Sequence, residues 1–60
     1  MREAIQRAMR TYFEGRTYLG DGQYAVTERA SQAGEALEAY AKSHPELVTE
    51  LAREWYTDNA

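Results

Sequence analysis

The amino-acid sequence predicts an all-α fold: an antiparallel helical hairpin with a shorter N-terminal helix packed on it, in one domain over residues 1–60. Three observations carry this. Apolar residues recur at helical spacing in three separate stretches. The one glycine-rich stretch, Gly15 to Gly22, separates the first from the second. Ser43, His44, Pro45 and Glu46 read as the end of the second and the start of the third.

In the first helix, expected over Arg2–Glu14, Ile5, Ala8, Met9, Tyr12 and Phe13 gather on one face. Glu3, Arg7, Arg10 and Glu14 fall opposite, as two i,i+4 ion pairs worth on the order of 0.2–0.5 kcal/mol each. Gly15 is the expected stop, through a left-handed conformation. Residues 16–26 admit two readings. In one they are a loop leading into the next helix, with Asp21 as its N-cap. In the other, Arg16–Leu19 and Gln23–Val26 are short strands around Gly20, Asp21 and Gly22. The loop is the expectation adopted, because an isolated two-stranded hairpin is marginal in water.

The second helix is the longest, starting between Gly22 and Thr27 and ending near Ser43. Val26, Ala30, Ala33, Leu37 and Tyr40 form a narrow seam with heptad-like spacing, in which Gly34 and Ala41 leave room for a close neighbour. Glycine inside a helix costs roughly 1 kcal/mol relative to alanine, so close packing at Gly34 is the expected compensation. Ser43 and Glu46 match a capping box, with Pro45 tolerated in the first turn of the third helix. That helix, expected from Pro45 to about Tyr56, carries Leu47, Val48, Leu51, Ala52, Trp55 and Tyr56 on its apolar side. Glu46, Glu50 and Glu54 form an acidic stripe at i,i+4 spacing, for which Arg7 and Arg10 of the first helix are the intramolecular counter-charges.

Composition narrows the function. Leu, Ile, Val and Phe together number eight, and no cysteine is present, so disulfides and thiolate metal sites are excluded. A chain of this size buries only about 60% of its unfolded surface, so self-association or docking on a partner is the expected means of completing the core. No run of apolar residues is long enough to span a membrane and no secretory h-region is evident, so a cytoplasmic location is expected. Four arginines against two glutamates stand in residues 1–20, and eight acids against three bases in residues 21–60. In a short helical protein such asymmetry chiefly lets segments attract one another.

Catalysis finds little support. The single histidine, His44, adjoins Ser43, but adjacency does not supply the geometry of a nucleophile and its base, and the capping role accounts for the serine. Glu46, Glu50 and Glu54 with His44 lack the Glu-x-x-His pairing of helical di-metal sites, so the stripe reads as a solvated face and no metal or cofactor is expected. Gly20, Asp21 and Gly22 lack the lysine of a phosphate-binding loop. Tyrosine, tryptophan and arginine concentrate at interface hot spots, and this chain has five tyrosines and one tryptophan. The sequence therefore reads as a small protein-binding regulator (an inhibitor, adaptor or accessory subunit), not an enzyme. Its contact surface is expected on the third helix, at Glu46, Glu50, Glu54, Trp55 and Tyr56. The alternatives are a homo-oligomeric assembly protein and a dimeric nucleic-acid binder using the Arg-rich first helix; the acidic overall charge of −3 weighs against the latter.

Overall fold

The structure, a computed structural model, describes residues 1–58. Its elements in order are α1 (Arg2–Glu14), β1 (Arg16–Gly20), β2 (Gln23–Val26), α2 (Glu28–Ser43) and α3 (Pro45–Asp58). The chain is mostly helical, but the all-α expectation is corrected: residues 16–26 form a two-stranded antiparallel hairpin, not a loop.

The turn chemistry explains the correction. Asp21 and Gly22 hold φ of 52° and 75° at the two central positions, the conformation of the hairpin turns that match strand twist and select Asp-Gly. Gly20, at φ 103°, sits where the register shifts between Tyr18 and Gly20. Asp21 is therefore a turn residue and not a helix cap.

What rescues an otherwise marginal hairpin is its attachment to the helices. The Arg16 guanidinium lies 5.5 Å from the Tyr12 ring, 4.9 Å from Phe13 and 4.6 Å from Tyr24, tying β1 to the end of α1 and to β2. The Thr27 N–H donates to the Gly15 carbonyl at 3.0 Å, closing the base of the hairpin. At the other end the Tyr18 and Tyr24 rings pair across the strands at 5.1 Å, and the Gly22 N–H donates to the Tyr18 hydroxyl at 3.2 Å.

Helix α2 begins at Glu28, with Thr27 as N-cap; the Thr27 hydroxyl accepts from the Ala30 N–H at 3.1 Å. Val26 consequently belongs to β2 and not to the helical seam. The capping box at Ser43 is also corrected. Ser43 is the last residue of α2, and its hydroxyl donates back to the Ala39 carbonyl at 3.2 Å. His44 alone separates α2 from α3, its N–H reaching the Tyr40 carbonyl and its carbonyl accepting from the Val48 N–H. Helix α3 runs on to Asp58, two residues past the expected end.

Ile5 and Met9 of α1 and Leu51 of α3 make the buried core, with Phe13, Leu37, Tyr40, Leu47, Val48 and Ala52 packed around them. Ala30 is fully buried where α1 and the start of α2 meet. Gly15 makes that meeting possible, and not through a left-handed backbone, since its φ is −93°. A Cβ at this position would stand 2.6 Å from the Ala30 Cβ and 2.8 Å from the Thr27 hydroxyl oxygen.

Candidate protein-contact surface

Alternation along the strands places Arg16, Tyr18, Tyr24 and Val26 on one face of the hairpin, with Arg16 opposite Val26 and Tyr18 opposite Tyr24. This face is turned toward the end of α1, as the position of Arg16 over Tyr12 and Phe13 requires. Much of the hairpin's apolar surface nonetheless stays in solvent: Tyr18 is 59% exposed, Leu19 64%, Tyr24 49% and Val26 46%.

Val26 also forms part of a groove of about 590 Å³ that runs along α2. Gly34, Leu37 and Ala41 line it from α2, with Tyr12, Val26 and Val48 contributed by α1, β2 and α3. Glu35 and Glu38 bring the charge, and among the described residues no base lines it. Val26 is thus shared by the hairpin face and the groove. Tyr12 packs directly on α2 at Gly34, where a Cβ would meet its ring at 3.0 Å.

The seam residues expected from sequence divide between two surroundings. Ala30 is buried, Ala33 and Tyr40 are half-buried with Tyr40 packed on the core, and Leu37 touches both core and groove. Gly34 does have a close neighbour, the side chain of Tyr12 within the same chain.

The third-helix residues separate as well. Trp55 is half-buried and stacked on Phe13, with ring centroids 5.4 Å apart and planes 21° from parallel. Tyr56 is 59% exposed and meets Phe13 edge-on at 5.8 Å. Glu54 accepts from the Arg2 guanidinium at 2.8 and 3.0 Å, and Glu50 lies 3.8 Å from it. Glu46 is exposed. The counter-charge of the acidic stripe is therefore Arg2, not Arg7 or Arg10, which are both exposed. The start of α1 reaches α3 at Glu50 and Glu54, which sequence spacing within either helix cannot reveal. Arg10 instead lines a separate depression between α1 and α3 with Glu14, Trp55 and Asp58.

The contact surface expected on the third helix leaves out the hairpin tyrosines and Arg16. The signal was present in the Asp-Gly pair and in the alternation of Tyr24 and Val26. Among the described residues no three potential metal ligands are gathered. Ser43 and His44 serve the junction of α2 and α3, with the Ser43 hydroxyl committed to Ala39. No known protein family, curated protein or solved structure matches the chain.

Proposed function

We propose that this chain works by stoichiometric contact with another protein, as an inhibitor, adaptor or accessory subunit. The observation that carries the reading is the exposed apolar surface of Tyr18, Tyr24 and Val26, together with the groove that Val26 shares with Leu37 and Val48. Apolar patches of this kind, rimmed by polar residues, mark interaction sites, and tyrosines supply large contact area at low entropic cost. Among the described residues the buried core offers only Ile5, Met9, Ala30 and Leu51, so a partner lying on this surface would complete the packing as well as be recognised. In this reading α2 and α3 act as an antiparallel helical hairpin whose open side receives the partner.

Capture on the tagged full chain, with cross-linking before washing, tests the proposal. A protein retained at fixed stoichiometry by the wild type and lost with Tyr18→Ser/Tyr24→Ser supports it, given an unchanged helical circular dichroism spectrum. Equal retention by the variant contradicts it. A second reading, homo-oligomeric assembly, is favoured by the unpaired outer edges of the two-stranded hairpin, which can pair with another copy. A solution mass that rises with concentration identifies that case.

A further inference from the structure

Within that protein-contact reading, we infer that the groove along α2 receives an amphipathic helix from the partner, one whose apolar ridge is flanked by lysine or arginine. Shape, length and charge each bear on this. Gly34, Leu37 and Ala41 stand at i, i+3 and i+7 on α2, the spacing of the rows between which the side chains of a second helix lodge. From Ser31 to Ala41 the helix rises about 15 Å, room for roughly ten residues of a packed helix. Tyr12, Val26 and Val48 offer apolar contacts to an incoming ridge, and the Tyr12 ring itself occupies the space above Gly34.

Charge selects among occupants. Glu35 and Glu38 both line the groove, and neither forms an ion pair among the described residues. Lys42 is the nearest base along the helix, and it does not line the groove. A second copy of this chain is disfavoured on the same ground. A two-fold contact brings a patch against itself, so α2 packed on α2 here would gather Glu35 and Glu38 of both copies around the axis with no base in the lining. A partner helix with basic flanks meets the same carboxylates favourably and gains in association rate. The recognition mode is an amphipathic helix laid in a groove and read through anchors at i, i+3/i+4 and i+7.

The test is selection on the immobilised full chain from a display library of random peptides of about 16 residues, long enough for a helix to span the groove. The expected winners carry apolar residues at i, i+3 or i+4, and i+7, have net positive charge, and become helical on binding. Glu35→Lys/Glu38→Lys should weaken them by about tenfold or more. Glu3→Lys/Asp58→Lys, the same change of charge at exposed positions away from the groove, should leave their affinity unchanged. Both variants are checked for helical content first. Failure to enrich any peptide, winners that are acidic or remain extended when bound, or affinity indifferent to Glu35→Lys/Glu38→Lys overturns the inference. Such a failure is separable from failure of the broader reading. A natural partner lost with Tyr18→Ser/Tyr24→Ser but retained by Glu35→Lys/Glu38→Lys refutes the groove helix while keeping the protein-contact role.

Discussion

Gly15 lies so close to Ala30 that a Cβ added to it would stand 2.6 Å from the alanine methyl. This contact lets α1 end directly against the first turn of α2 and brings the hairpin out beside both. The Thr27 hydroxyl and the Thr11 carbonyl crowd the same point, at 2.8 and 3.0 Å from that Cβ. Gly15→Ala should therefore destabilise the chain by about 1–3 kcal/mol, as overpacking does. Adding Ala30→Gly should recover only part, since Thr27 and Thr11 remain. Urea unfolding of the two variants is the check, and a stabilised Gly15→Ala contradicts the packing described.

Tyr12 and Gly34 should be energetically coupled. Alanine in place of Gly34 gains about 1 kcal/mol of helix propensity but presses on the Tyr12 ring. In the wild type the two effects should nearly cancel. In a Tyr12→Ala background, where the ring is gone, Gly34→Ala should stabilise by about 1 kcal/mol. A double-mutant cycle with no coupling would show that the ring does not rest on Gly34.

Arg16 fastens the hairpin. Removing its contacts to Tyr12, Phe13 and Tyr24 by Arg16→Ala should cost about 1 kcal/mol. The loss should be local. Amides of residues 16–26 should exchange faster with solvent while those of α1 and α3 keep their protection. Loss of protection shared evenly by all elements is the contrary result.

Leu51 and Arg2 should behave oppositely, although both link α1 to α3. Leu51 is buried against Ile5 and Met9, and Leu51→Ala should cost about 2–5 kcal/mol, comparable with the whole stability of a domain this small. Arg2 and its glutamate partners are about half-exposed, so Arg2→Ala should cost less than about 1 kcal/mol, and less still in high salt. Thermal midpoints at two ionic strengths distinguish the two.

The three helices were legible because their signals are local: the period of Ile5, Met9 and Phe13, and the Pro45 start of α3. The hairpin was legible only as the lesser alternative. Asp21 and Gly22 carried the turn signal, but the reason for its stability, Arg16 lying over rings from two elements, is tertiary. Ser43 shows the converse. A valid capping pattern gave way because α2 continues through the serine, leaving its hydroxyl free to turn back to Ala39. The groove was half visible, as a seam of small residues, but its Tyr12 and Val48 walls depend on how α1 and α3 lie against α2. The acidic stripe on α3 is visible in the sequence as a spacing, whereas its partner Arg2 follows from helix packing and from no spacing in the sequence.

Hydrogen exchange on the captured complex tests the central claim most directly. With the partner bound, new protection is predicted in the hairpin, residues 16–26, and along α2 between Ser31 and Ala41. The outer face of α3 around Glu46 should be unchanged. Protection confined to α3, or none anywhere in the hairpin and α2, would contradict the account.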